Sequence, residues 1–402
     1  MRSPDADTTR PLISVVMANY EAGPKLDPAM ASVLGQTIAD IEVLVCDDAS
    51  GDDSLERIAR FAAADPRVRL IPAEANGGPA QARNRGLEAA RGEWIAIVDA
   101  DDILHPERFE RLLAAARHFG ADIVADDLLH FHEDGSPSRL LLGPEENLPF
   151  RVTIERWLSA GTDGSPPLGY LKPLIRADRL AGIRYDTTLR IGEDFDLVLR
   201  LIHAGAEMWV VPEPFYLYRR HKSSISYRLS ARDMQSMFDS HKALAARLGP
   251  LDTDAATAFA ARGRQLADGL AYEYLVEALK TRRPAAALSL LVCHPHHLAR
   301  LWRSFTEGRQ RRQAPVQTTL PAPSSLTLST EAFDLPAYVP PGEIDWNAPR
   351  PRQLWVRVAD LGRAQPIDVA CRDRAGAYAA GFIPLARIIR TDAVPELAES
   401  AP

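Results

Sequence analysis

Residues 93–106 read EWIAIVDADDILHP, and the reading of this stretch decides the fold. Trp94-Ile95-Ala96-Ile97-Val98 is an unbroken apolar run, the pattern of a strand buried on both faces of a parallel sheet. It stops at Asp99-Ala100-Asp101-Asp102, three carboxylates within four residues. Ligands of open α/β sheets bind just beyond the carboxyl ends of the strands. Carboxylates this close repel, more so when buried. A divalent cation relieves the repulsion, and oxygen ligands suit Mg2+ or Mn2+. Such a cation needs an anionic partner, and a diphosphate fits. The same residues also read as the approach to a helix. Pro106 suits a first helical position, a helix is expected over 107–119, and Asp101 and Asp102 would then serve only its positive end.

Toward the N-terminus the pattern repeats. Residues 13–17 and 41–46 are short buried strands ending at Asn19-Tyr20 and at Asp47-Asp48, and 68–71 is a third. Helices are expected after the first two. The third strand leads through the loop Asn76-Gly77-Gly78-Pro79 into a helix carrying Arg83, with Gly92 as its stop. Short strands alternating with helices predict right-handed crossovers and a mainly parallel sheet. Asn19-Tyr20, Asp47-Asp48 and Asp99–Asp102 then share one rim. Each group alone also suits a cap or a turn.

Toward the C-terminus, 123–125 is a strand entering Asp126-Asp127, and 128–132 is extended. From Gly143 to Gly169 the pattern dissolves into Gly, Pro and polar residues around an apolar patch, as in a functional loop. Trp157 there would either stack on a sugar ring or fill local core. Gly192-Glu193-Asp194-Phe195-Asp196 heads a helix, where its acids also suit the dipole. After a strand at 208–211, residues 216–226, YLYRRHKSSIS, gather cations and hydroxyls able to clamp a diphosphate.

Composition sets the limits. The 402 residues allow two or three domains, and the net charge of -7 argues against general nucleic-acid affinity. Cys46, Cys293 and Cys371 lie far apart with no CxxC pairing, which suggests a reducing compartment and no structural zinc. The opening MRSPDADTTR has no apolar core, and no run approaches the ~20 residues that span a bilayer. A cytoplasmic setting is the expectation.

Five stretches in order, SVVMANYEAG, VLVCDDASGD, NGGPAQARNRGLEAARGEWIAIVDADDILHP, GEDFDLVLRLIHAG and YLYRRHKSSIS, resemble the inverting family 2 glycosyltransferases of GT-A fold. The resemblance covers roughly 11–228. It implies a Rossmann-like nucleotide-sugar-binding domain with Asn19, Tyr20 and Asp48 around the base and ribose. Asn76, Gly77, Gly78 and Arg83 would lie beside the same nucleotide, and Asp99 on the ribose or sugar side. Asp101 would ligate Mn2+ or Mg2+. Asp194 of the Glu193-Asp194 pair would be the catalytic base. His221, with Arg219 or Arg220, would approach the diphosphate or the metal. The donor would be a nucleoside diphosphate sugar, usually UDP-linked. The acceptor would be a glycan, lipid-linked and part of a cell-surface polysaccharide. Tyr-Glu-Ala after Asn19 departs mildly from the family's Tyr-Asn, and no processive-synthase Gln-x-x-Arg-Trp signature is present, so a single addition is expected.

Residues 229–312 read as a helical extension. An amphipathic pattern over 285–312 mixes Leu298, Leu301, Trp302 and Phe305 with arginines, and suits either an anionic membrane surface or a helix packed on the catalytic domain. Residues 313–402 read as a Pro-rich linker and a small or poorly ordered tail, with short strands near 354–358, 367–371 and 378–383. The rival readings are an aspartate-nucleophile phosphohydrolase, a nucleotidyltransferase and a non-catalytic binding module. The first is disfavoured by the α/β units before Asp99 and by Ile103 where a hydroxyl residue is needed. The second lacks a Gly-rich, basic triphosphate loop, and the third would have no use for Asp101 and Asp194 together.

Overall fold

The computed structural model describes residues 10–132, 139–143, 146, 148–162, 164–221, 229–302, 344, 346, 355–357 and 382–384. Its core is one mixed sheet. Strands β1 (Ile13–Asn19), β2 (Ile41–Asp47), β3 (Val68–Pro72) and β4 (Trp94–Asp99) run parallel in the order β3-β2-β1-β4. The connecting helices are α1 (Leu26–Leu34), α2 (Ser54–Ala64) and α3 (Pro79–Ala89). Register places Asn19 opposite Asp47, and Ala18 opposite Asp99, so the polar strand ends meet on one rim as expected. Helix α3 lies close against β1 and β2 at Gly86. A Cβ there would come within 2.4 Å of Val16 Cγ1 and 2.8 Å of the Cys46 sulfur.

Beyond β4 the order departs from a simple doubly wound sheet. After β5 (Ile103–Leu104), α4 (Arg108–Phe119) and β6 (Ile123–His132), the chain makes the short β7 (Arg139–Leu140) and β8 (Phe150–Val152) and the helix α5 (Ile154–Leu158). It then inserts β9 (Leu174–Arg176), antiparallel to both β4 and β6, between those two strands. The following α6 (Glu193–His203) and β10 (Met208–Arg220) complete the sheet, with β10 parallel to β6. The sequence suggests two pieces around 208–211 and 216 onward. They form one strand whose ladder breaks between Val211 and Tyr216, where Pro212 and Pro214 withhold donors.

The stretch 143–169 is more ordered than its composition implies. Thr153 caps α5, and Trp157 is 1% exposed, stacked on Phe195 with Nε1 donating to the Phe195 carbonyl at 3.1 Å. Trp157 is therefore core, and the sugar-stacking alternative is closed.

The C-terminal helices are α7 (Ala231–Leu248), α8 (Thr253–Lys280) and α9 (Pro284–Cys293). Ser230 and Asp233 form a reciprocal capping box on α7, and Asp252 caps α8. Leu244 and Leu248 join the main core. Arg262 of α8 lies 3.5 Å over the Phe195 ring, and Gln265 donates to the Gly161 carbonyl. The amphipathic stretch after Pro284 is not one helix, because it breaks at His294-Pro295 before helical residues 297–302; residues 303–312 lie outside the described residues. Trp346, inside the expected linker, is buried beside His118 and Phe119. Strands β11 (Trp355–Arg357) and β12 (Phe382–Pro384) pair antiparallel near two of the three expected segments; 367–371 lies outside the described residues.

Candidate active site

The rim of the sheet separates its acids into two groups. At the open edge Asp101 Oδ2 lies 2.6 Å from His221 Nε2, and the Asp101 side chain is 28% exposed. Deeper in, Asp99, Glu193 and Asp194 share two cations, Arg83 and Lys172. Lys172 Nζ is 2.9 Å from Asp99 and 2.9 Å from Asp194. Arg83 reaches Asp99 at 2.8 Å, Glu193 at 2.5 Å and Asp194 at 3.6 Å. Gly192, at φ 86°, turns the chain so that Glu193 and Asp194 open α6 toward this cluster.

The electrostatics set the two neighbouring acids apart. Burial alone would push Asp194 up, but Arg83 and Lys172 outweigh it and hold the carboxyl below its ordinary range. Burial and the adjacent Asp194 raise Glu193, with Arg83 opposing. Environments that drive paired carboxyls apart are how acid and base roles are divided. Asp99 is half-buried, which would raise it, yet Lys172 and Arg83 hold it low.

Asp102, third of the run, faces inward. It is 1% exposed, accepting from Tyr216 OH at 2.7 Å and from the Arg219 backbone N–H at 2.7 Å. Burial, then the charges of Asp101 and Asp99, push its carboxyl well up. The Tyr216 hydroxyl in turn accepts from the Asp99 N–H. This network fixes the backbone that presents Asp99 and Asp101.

Other expected residues fall as follows. Tyr20 is 51% exposed at the end of β1. Asn19 is buried and donates to Asp47 at 2.7 Å and Ser50 at 3.2 Å. Asp48 is also buried; it accepts from the Gly77 and Gly78 N–H groups at 3.0 and 2.6 Å and pairs with Arg85. It therefore pins the loop that carries the exposed Asn76. Two arginines brace the acidic rim. Arg83 joins the acid cluster through Asp99 and Glu193. Arg219 is 3% exposed and donates from Nε to the Asp101 carbonyl, bracing that loop from behind. Arg220 lies with its guanidinium 5.9 Å from the Tyr218 ring. Lys172, Tyr216 and the inward Asp102 went unassigned in the sequence. Lys172 did leave a signal, a lone charge in the apolar run Leu171–Ile175.

Comparison with known proteins agrees with this geometry. Residues 14–167 match the family described as glycosyl transferase family 2. The succinoglycan biosynthesis protein ExoO of Rhizobium meliloti is 32% identical over 342 residues, 83% of this chain and 97% of that protein. Glycosyltransferase GlyG of Streptococcus pneumoniae is 32% identical over 56% of this chain and 78% of its own. The crystal structure of S. aureus TarS 1–349 in complex with UDP-GlcNAc shares the fold, with a TM-score of 0.50 and 16% identity over 71% of this chain and 91% of that one. Fold and site together define a GT-A glycosyltransferase. The chain belongs to glycosyl transferase family 2.

Proposed function

We propose that this glycosyltransferase moves one sugar from a nucleoside diphosphate sugar, UDP-linked in the first instance, to a hydroxyl of a lipid-linked saccharide during polysaccharide assembly. Relatives named for succinoglycan biosynthesis support the polysaccharide setting. One observation carries the chemistry: the rim acids divide into an Asp101–His221 pair and a second group, around Arg83 and Lys172, in which Asp194 is held ionised.

Tyr20 stacks on the base in this reading, which its 51% exposure supports, and Asp48 fixes the Gly77–Gly78 loop. Asp101 and His221 offer a carboxylate oxygen and an imidazole nitrogen, a donor set that fits Mn2+ and, less closely, Mg2+. A divalent ion bound there supplies positive charge for the diphosphate leaving group. Asp194, ionised, accepts the proton of the acceptor hydroxyl as that oxygen attacks the anomeric carbon; one displacement inverts the centre and needs no enzyme nucleophile.

Leu288, Val292, Leu298 and Trp302 are 57–73% exposed on the segment after Pro284, which supports contact with a lipid surface. Among the described residues no helix is long and apolar enough to cross a membrane. Liposome flotation of a Val292→Ser, Trp302→Ser variant tests that contact, and flotation equal to wild type would reject it.

Calorimetric titration of UDP with and without Mn2+, into wild type and Asp101→Ala, tests the donor site. Metal-dependent binding lost in the variant supports it; binding indifferent to both removes Asp101 from the role. Asp194→Asn should retain UDP binding and lose roughly 10²–10⁴-fold in turnover.

A further inference from the structure

A second cluster of ligating side chains lies in the helical region, far along the chain from the rim. Asp268 stands in the middle of α8, and His294, His296 and His297 follow α9 in the run CHPHH. One atom from each of the four lies within 4.8 Å of the others. Three imidazole nitrogens converge on a single carboxylate oxygen. Asp268 Oδ1 is 2.6 Å from His296 Nε2, 3.0 Å from His297 Nε2 and 3.8 Å from His294 Nδ1. The rings crowd one another, with His296 and His297 centroids 4.4 Å apart and His294 stacked on His297 at 5.1 Å. His297 is fully buried while His296 faces solvent, so the cluster has a closed floor and an open mouth.

We propose that Asp268, His294, His296 and His297 form a binding site for a divalent transition metal of the zinc class. Hydrogen bonding alone makes poor use of three imidazoles around one oxygen, because each neutral ring has one N–H to give and a second nitrogen that must accept. Three imidazoles and a carboxylate are a full tetrahedral set for Zn2+. Bond lengths of 2.0–2.2 Å put the ligand atoms about 3.4 Å apart in that geometry, so small side-chain rotations from the present 2.6–4.8 Å suffice. Pro295 supplies the turn that brings all three rings to one side. Cysteine spacing gave no hint of the site, because its ligands are imidazoles. The metal would tie the turn after α9 to α8, steadying the segment that carries Leu298 and Trp302.

The test is a Co2+ titration of the full-length chain, made without a polyhistidine tag and followed by visible absorption. One equivalent should produce the bands of tetrahedral Co2+, and one equivalent of Zn2+ should bleach them. His296→Gln, at an exposed position that leaves the buried His297 in place, should weaken Co2+ binding by at least about tenfold. The double variant His294→Gln, His296→Gln should abolish the bands, and Asp101→Ala should leave them intact. Absence of bands in wild type, their persistence in the double variant, or their loss in Asp101→Ala would each overturn the site.

Discussion

Lys172 donates to Asp194 at 2.9 Å, and through the same ammonium holds Asp99 at 2.9 Å. A residue on the approach to β9 thereby sets the charge state of one that opens α6. Burial would lower the Lys172 ammonium, but Asp194 and Asp99 raise it well above its ordinary range, so it stays charged. Lys172→Met leaves Asp99, Glu193 and Asp194 to share Arg83 alone. Asp194 should then titrate higher. With Asp194 as the base proposed above, the carboxylate is the working form, and the acid limb of the kcat/KM profile should move to higher pH. An acid limb that stays where it is would separate Lys172 from the base.

Tyr20 presents an exposed ring at the end of β1. Stacking of a base on such a ring is worth about 1–3 kcal/mol. Tyr20→Ala should therefore weaken UDP binding roughly 5–150-fold, whereas Tyr20→Phe should bind within a few-fold of wild type. Calorimetry on both variants decides it, and equal losses in the two would assign the effect to the hydroxyl instead.

Asp102 makes a prediction about pH and stability. Its folded carboxyl is pushed up, so the folded chain keeps a proton that the unfolded chain releases above about pH 4. Wild-type stability therefore declines, through this group, as pH rises from the ordinary carboxylate value toward the folded one. Asp102→Asn removes that slope; its amide oxygen can still accept from the Arg219 N–H, and its NH2 can donate to the Tyr216 hydroxyl oxygen. Denaturant midpoints measured without divalent metal should show the variant gaining on wild type between pH 5 and 8. Parallel curves would mean that Asp102 is ionised in the folded chain.

Trp157, buried against Phe195, sits beneath the first turn of α6. Trp157→Ala should cost about 3–5 kcal/mol of stability. If the ring instead contacted a sugar, the substitution would raise KM with the melting curve unmoved. Thermal unfolding and donor KM, measured on the same preparation, tell these apart.

What the sequence disclosed of the site follows from what strand ends disclose. Asn19, Asp47 and Asp99 terminate strands that any α/β alternation runs parallel, so their meeting on one rim needs no knowledge of strand order. Glu193-Asp194 was legible as an acidic helix start. Lys172 was not, because β9 is three residues long and enters the sheet antiparallel between β4 and β6; no local pattern encodes a neighbour so distant in the chain. Arg219 and Arg220 looked equivalent as a basic pair. On β10 they alternate, and the strand's period of two turns Arg219 in toward Asp101 and leaves Arg220 partly exposed. The irregular composition of 143–169 concealed α5, whose support comes from α8, more than a hundred residues later for some contacts.

The contact of Arg262 with Phe195 makes residue 230 a poor place to cut the chain. A recombination event or a designed chimera that exchanged the C-terminal helices would also replace the side chain resting over Phe195, the neighbour of Asp194 in the first turn of α6. The C-terminal helices and the first turn of α6 are thus inherited together. A graft that works should be one that carries residues 193–203 along with the helices, or that restores an arginine at 262.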